Sequence, residues 1–195
     1  MLLFQFHFRA YYSDMDVKKT QHRLFFALWP SDEVRNEIKK QIQPLIKQLK
    51  QHPAKKVPLH NWHITLAFLG NVSPETKQCV IEQAELITGS SFELQLNEFG
   101  SFKRASVVWL GTNQCPDVLK ELVEHLNEKL ADCDYQSEFK DYTPHLTFLR
   151  KAYKPLDALQ VETVRWQVNE FVLVESVTTD RGARYQVINR WPLNE

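Results

Sequence analysis

The chain has 195 residues, enough for one domain or for two small lobes sharing a core. Lysine plus arginine equal aspartate plus glutamate at 24 each, so the formal charge is zero; that argues against a protein that coats long nucleic acid through many phosphate contacts, but not against a grip on one terminal phosphate. No apolar run approaches the roughly 18–20 residues of a transmembrane helix, and Cys79, Cys115 and Cys133, odd in number and without CxxC spacing, read as reduced cytosolic thiols rather than a disulfide framework or a zinc knuckle.

Residues 1–21 read as an N-terminal extension to a single domain over 22–195. Leu2, Leu3, Phe4, Phe6 and Phe8 are apolar, but Arg9 interrupts them and no small-residue cleavage site follows, so a signal peptide is not expected. Met15 is the expected natural start, with residues 1–14 upstream of it. Arg23 to Trp29 then predicts a strand ended by Pro30. Ser31 is a candidate N-cap with Asp32 and Glu33 in the first turn, and Val34, Ile38, Ile42, Leu45 and Leu49 recur at helical spacing. Pro44 is expected to kink or end that helix early. His52 to Leu59 reads as a loop. Ser73-Pro74-Glu75 starts a second helix, with proline at the first helical position, running to Gly89. Phe92 to Asn97 and Ser106 to Leu110 predict strands with Lys103-Arg104 at the bend between them. Pro116 opens a third helix with the apolar stripe Leu119, Leu122, Val123, Leu126 and Leu130. Phe171 to Val177 and Arg184 to Trp191 form a hairpin around Asp180-Arg181-Gly182. Strands and helices mix without a βαβ repeat, which favours an α+β fold.

Two further strands carry the chemistry. His63-Ile64-Thr65-Leu66 and His145-Leu146-Thr147-Phe148 are two copies of His-apolar-Thr-apolar, 82 residues apart. Side chains alternate across a strand, so each histidine shares a face with its threonine while Trp62, Ile64, Leu66 and Phe68, or Leu146 and Phe148, take the other. Two imidazoles facing one cleft can act as general acid and general base near neutral pH. The duplication suggests pseudo-twofold lobes, each an antiparallel sheet with helices outside.

The paired tetrads resemble the signature of the 2H phosphoesterase superfamily. Their flanks, Arg23 to Pro30, Trp62 to Gly70, Val107-Val108-Trp109-Leu110-Gly111, Thr143 to Arg150 and Tyr185 to Leu193, resemble the bacterial RNA 2′,3′-cyclic phosphodiesterases, first named 2′-5′ RNA ligases. The likeness runs from about residue 22 to the C-terminus. It implies a bilobal fold with the two histidine strands facing each other across a central cleft. It also implies metal-independent hydrolysis of RNA 2′,3′-cyclic phosphate ends to a 2′-phosphate, and reversible 2′-5′ ligation. By that resemblance His63 is the proton donor and His145 the acceptor, roles that the residues alone do not assign. Thr65 and Thr147 are expected to donate to the non-bridging oxygens. Arg150 matches the family's arginine; strict alternation puts it on the face opposite His145, so its expected phosphate contact requires a twist or bulge after Phe148.

Other residues weigh less. Phe26 and Phe68 are candidates for stacking on a base, with core packing the better reading for Phe68, whose parity matches Ile64. Lys55, Lys56, Lys103, Arg104, Lys151 and Lys154 are candidate cations at the cleft edge. Trp62, Trp109 and Trp166 read as core. A zinc site using His60, His63 and His145 lacks the His-Glu-x-x-His spacing and a nearby carboxylate, so neither metal nor cofactor is expected. The expected partner is an RNA 3′ end or tRNA fragment bearing a cyclic phosphate, met by a cytoplasmic monomer away from membranes. A small cyclic nucleotide is a second substrate reading. A non-catalytic nucleotide or RNA-end binding module on the same fold is the competing function, disfavoured by the intact histidines and threonines of both motifs.

Overall fold

The computed structural model describes residues 21–48, 54–136, 142–152, 161–180 and 182–194, so the expectations about the N-terminal extension and Lys154 lie outside the described residues. Among the described residues three α-helices start where the sequence predicts, two of them capped by a serine. In α1, Asp32–Gln48, the Ser31 hydroxyl accepts the Val34 N–H at 3.4 Å, and Ile38, Ile42 and Leu45 are buried. Pro44 sits inside α1 and does not end it: its neighbours Ile42 and Leu45 face the core, and their burial holds the segment helical across the lost hydrogen bond. In α2, Pro74–Glu85, the Ser73 hydroxyl accepts the Thr76 N–H at 3.2 Å; the helix stops at Glu85, short of Gly89. In α3, Asp117–Ala131, Leu119, Leu122, Val123, Leu126 and Leu130 are all buried.

The strands are β1 (His22–Leu28), β2 (Lys55–Lys56), β3 (Ile64–Val72), β4 (Phe92–Leu96), β5 (Glu98–Phe102), β6 (Val107–Gly111), β7 (His145–Arg150), β8 (Val164–Val168), β9 (Glu170–Thr179) and β10 (Gly182–Pro192). Every strand pairing is antiparallel, so the architecture is α+β. Seven strands run in the order β10-β9-β1-β3-β7-β6-β5, with β2 added against β7; β4 and β8 form a separate ribbon. The two lobes expected from the duplicated motif are half-sheets, β10-β9-β1-β3 and β7-β6-β5, and they meet between β3 and β7 at one register pair, Ile64 opposite Leu146. Strands β2, β5 and β8 were not anticipated. The main core lies between one face of this sheet, the helices and the β4–β8 ribbon. A smaller apolar cluster of Phe25, Ala27, Val172 and Val174, with Trp29, Tyr185 and Val187 against it, covers the opposite face of the first half-sheet.

Bulges decide which residues reach that opposite face. Between β1 and β3 the register runs Ala27 to Thr65, Phe26 to Ala67, Phe25 to Phe68 and Leu24 to Gly70, so Leu66 and Leu69 are extra residues. Each extra residue reverses the alternation downstream of it. Two expectations are corrected, that for Phe68 by these bulges and that for Phe26 by the regular alternation of β1, which puts it with Leu28 in the core. Phe26 is fully buried, 5.7 Å from the Trp191 ring and 6.3 Å from the Phe171 ring, and cannot meet a ligand. Phe68, expected in the core, pairs with Phe25 on the histidine face and is 44% exposed, with the Arg23 guanidinium 5.0 Å from its ring centre. On β7 the register steps from Trp109–Thr147 to Val108–Leu149, making Phe148 the extra residue. Phe148 and Leu149 are both buried, and Arg150 turns out on the side of Thr147.

The cysteine reading also needs correction. Cys79 on α2 and Cys133 just after α3 form a disulfide, with their Cα atoms 5.9 Å apart; Cys115 is free. The 54-residue separation hid the pairing, which arises because α2 and α3 pack side by side. Among the described residues no helix is long and apolar enough to cross a membrane.

The close approach of β5 to Trp109 gives a test of this packing. A Cβ placed on Gly100 would lie 2.1 Å from the Trp109 indole, so the ring occupies the space a side chain would need. Gly100→Ala is expected to cost about 1–3 kcal/mol through overpacking. Equilibrium urea unfolding measures this, and an unchanged midpoint would contradict the stacking of Trp109 on bare backbone.

Candidate active site

His63 stands at the mouth of β3, and a single 3₁₀ turn, Leu59–Asn61, sets its position. The Trp62 indole N–H donates to the Val57 carbonyl at 3.1 Å, and the Asn61 amide donates to the Ala183 carbonyl at 2.9 Å, tying the turn to β10. The Asn61 carbonyl then accepts a hydrogen bond from His63 Nδ1 at 2.7 Å. A carbonyl can only accept, so Nδ1 carries the hydrogen and Nε2 is left as the reactive nitrogen. Phe25 lies 4.7 Å from the imidazole, Tyr185 meets it edge-on at 5.3 Å, and Trp29 stacks on it at 5.9 Å. The Arg35 guanidinium covers Trp29 in turn, 5.2 Å from its ring.

His145 repeats the arrangement. Its Nδ1 donates to the Thr143 carbonyl at 2.7 Å, again two residues upstream. Phe102 meets the ring edge-on at 4.9 Å, and Trp109 lies 6.1 Å away. Gly111 faces His145 in the register, and a Cβ there would come within 2.7 Å of the Pro144 carbonyl. The halves are also tied by Tyr142, whose hydroxyl donates to the Thr65 carbonyl at 3.1 Å; burial pushes its phenol far above the ordinary range, so it stays a donor.

Ile64 and Leu146, the joining pair, point into the core, so the residues beside them point the other way. His63, Thr65, His145 and Thr147 thus share one face. Both threonines are half-buried, and neither hydroxyl is bonded to another described residue. Arg150 reaches the same face by way of the bulge, close enough that its charge acts on both imidazoles. Burial pushes the His63 pKa down to about 4, with the charges of Arg150, His145 and Arg35 adding to it and the Asn61 carbonyl opposing. Burial lowers His145 too, helped by Arg150 and opposed by the Thr143 carbonyl. In the free protein both imidazoles are neutral at pH 7. Two nitrogen bases, two open hydroxyl donors and one guanidinium on a common face suit proton transfer about an oxyanion.

Of the remaining sequence candidates, Trp62, Trp109 and Trp166 are buried, although Trp109 lies on the histidine face. Lys55, Lys56, Lys103, Arg104 and Lys151 are exposed. His60 is exposed on the 3₁₀ turn, and among the described residues no group of three His, Cys, Asp or Glu converges on a common point. Sequence reasoning missed the aromatic surround of Phe25, Trp29, Tyr185 and Phe102. Phe25 could have been found only with the pairing of Ala27 and Thr65 known, because Leu24 to Leu28 is apolar throughout.

Comparison with known proteins places the chain in a family. Residues 31–180 match the family model of the 2′-5′ RNA ligase superfamily. The RNA 2′,3′-cyclic phosphodiesterase of Escherichia coli K12 is 32% identical over 89% of this chain and 97% of its own. That of Methanocaldococcus jannaschii is 28% identical over 87% and 99%. The crystal structure of E. coli LigT complexed with 3′-AMP superposes with a TM-score of 0.82 at 32% identity, covering 90% of this chain and 100% of that one. The MHV ns2 PDE domain, 12% identical with a TM-score of 0.53, shares the fold alone.

The depressed histidine makes a stability prediction. His63 titrates near 6.5 when unfolded and about 4 when folded. The unfolded chain therefore binds more protons between those values, and stability is full above about pH 6.5 and falls as pH drops toward 4. Urea midpoints at pH 7 and pH 4.5 should differ less for His63→Gln than for the parent. Equal differences would mean that His63 is solvated in the folded state.

Proposed function

The chain belongs to the 2′-5′ RNA ligase superfamily, and from that premise we propose that it is an RNA 2′,3′-cyclic phosphodiesterase, opening the cyclic phosphate at an RNA 3′ end to leave a 2′-phosphate. The observation that carries this reading is the matched pair of imidazoles. Each is pinned through Nδ1 to the carbonyl two residues before it, with Nε2 left free on the face that also holds Thr65, Thr147 and Arg150. In-line displacement needs one proton taken on the attacking side of phosphorus and one given on the leaving side, and two pseudosymmetric strands supply both.

His145 Nε2 takes a proton from water, and the water oxygen bonds to phosphorus. The P–O3′ bond breaks as His63 passes its proton to the departing oxygen. Thr65 and Thr147 donate to the non-bridging oxygens, and Arg150 offsets the charge that grows there. His63 must be charged to act as the acid, although in the free protein it is neutral. The anionic phosphodiester reverses that balance, since a negative charge beside an imidazolium favours the protonated form. The acid is thus armed by its substrate. Phe68, exposed with Arg23 on its ring, gives the terminal base a surface to stack on. A 5′-hydroxyl in place of water would give a 2′-5′ linkage by the same transfers, which is the ligation arm of the proposal. The partner is an RNA end or tRNA fragment, and the protein acts as a monomer in the cytoplasm.

A ten-nucleotide RNA with a cyclic end, incubated in EDTA, should yield the 2′-phosphate. His63→Ala and His145→Ala should each slow this by about 10²–10⁴. A nitrophenyl phosphodiester, whose leaving group needs no acid, should restore turnover to His63→Ala and not to His145→Ala. Restoration of His145→Ala alone would exchange the two roles. Undiminished hydrolysis by either variant would remove the mechanism, and retained RNA-end binding with no turnover by the parent would leave the binding module.

The cytoplasmic assignment has its own check: Cys79 and Cys133 are placed to bond, but a reducing cytoplasm opens such a disulfide in the cell. Cells lysed directly into an alkylating reagent should show Cys79 and Cys133 modified. Full protection of both, with Cys115 alkylated, would place the protein in an oxidising compartment.

A further inference from the structure

The acids and bases of this neutral chain are not evenly spread. Segments 54–74, 99–116 and 142–152 contain no Asp or Glu, yet hold Lys55, Lys56, Lys103, Arg104, Arg150 and Lys151. The fold draws these segments together. Lys55 faces Arg150 across β2 and β7, Arg150 faces Val107 across β7 and β6, and Val107 faces Phe102 across β6 and β5. Directly opposed residues share a face, and the contact of Phe102 with His145 shows that it is the histidine face. Lys103 and Arg104 follow Phe102 in the turn to β6, and Lys151 follows Arg150. A hydrogen bond from the Ala152 N–H to the Ser106 carbonyl at 2.9 Å fastens that turn to the end of β7. Ser106 and Lys151 both adopt left-handed backbone, with φ of 53° and 58°, where the two chain ends bend to meet. All six cations are exposed, and none takes part in an ion pair with a described residue; Lys56, opposite the buried Leu149, turns to the other face and stands apart from the row.

The row crosses four strands, a span of roughly 14 Å. It starts beside the phosphate-facing Arg150 and extends well past the reach of a single phosphate. It also belongs wholly to the half-sheet of His145, the side on which the nucleophile enters. We propose that this row is a second subsite, which binds the phosphodiester backbone of single-stranded RNA beyond the reacting phosphate. The proposal rests on the reading of the histidine pair as a site for RNA ends. Two sources share this chemistry: the upstream part of the strand that carries the cyclic phosphate, or a separate strand whose 5′-hydroxyl lies at the nucleophile's position.

The test compares the parent with Lys55→Gln/Lys103→Gln/Arg104→Gln on three probes. Adenosine 2′,3′-cyclic phosphate reaches only the histidine pair, and the variant should turn it over at the parent rate. A ten-nucleotide RNA with a cyclic end should have a higher kcat/KM than the mononucleotide in the parent. Its kcat/KM should fall with salt by about 0.7 log units per log unit for each phosphate held. If the row holds the upstream strand, the variant loses about tenfold on this probe and its salt slope flattens. If it holds a separate strand, the variant keeps that activity, and a 5′-hydroxyl ten-nucleotide RNA without a cyclic end binds the parent but not the variant by fluorescence anisotropy. Parent behaviour of the variant on both RNAs overturns the proposal. Absence of cyclic-end hydrolysis by the parent would instead strike the reading of the histidine pair, while the anisotropy still reports on the row.

Discussion

Ile64 and Leu146 face each other at the register pair that joins β3 to β7, and both are fully buried. A strand cannot bury one residue without turning its neighbours the other way. Burying this pair therefore presents His63, Thr65, His145 and Thr147 together on the reverse face. The two half-sheets converge there, so the chemistry sits where the halves of the fold are stitched. Core formation does most of the assembly, with the 3₁₀ turn Leu59–Asn61 holding His63 at the mouth of its strand, and rigid strands hold reacting groups more closely than loops do.

A second constraint follows from what covers that face. The imidazoles sit among Phe25, Trp29, Tyr185, Phe102 and Trp109 rather than in open water. Such surroundings disfavour charge, and Arg150 disfavours a second positive charge further. The site at rest thus pairs a cation with two neutral bases, an arrangement suited to receiving an anion. Hydrogen bonds from Nδ1 to Asn61 and Thr143 fix which nitrogen each ring offers, so the rings lose little freedom when a ligand arrives.

The parts of this arrangement that were legible in the sequence are those written in periodicity. The stripe of α3 is buried residue for residue, and the alternation of each tetrad puts histidine with threonine. The parts that were not legible depend on counting across a partner strand. Nothing in Leu66 or Leu69 announces an extra residue; the bulges exist because β1 lies opposite, and they carry Phe68 to the histidine face, while Phe26 on the regular β1 follows Leu28 into the core. Strand β8 did have a signal, since Val164, Trp166 and Val168 alternate with Arg165 and Gln167, but a five-residue strand beside the longer β9 was easily passed over. The cysteine pairing had none, because it records the packing of two helices far apart in the chain.

The bulge at Phe148 has a consequence for how relatives of this protein are to be judged. Flatten that bulge with the sequence unchanged and the His-x-Thr tetrad survives unaltered, but strict alternation runs on through Phe148. The arginine would then turn toward the buried side and a hydrophobic residue would take its place beside the histidines. A sequence can therefore keep all four letters of the motif and still lose the cation on which its electrostatics depend. The bulge between the tetrad and the arginine is as much a part of the signature as the histidines, because the motif's letters place the cation only where the sheet is irregular at that point.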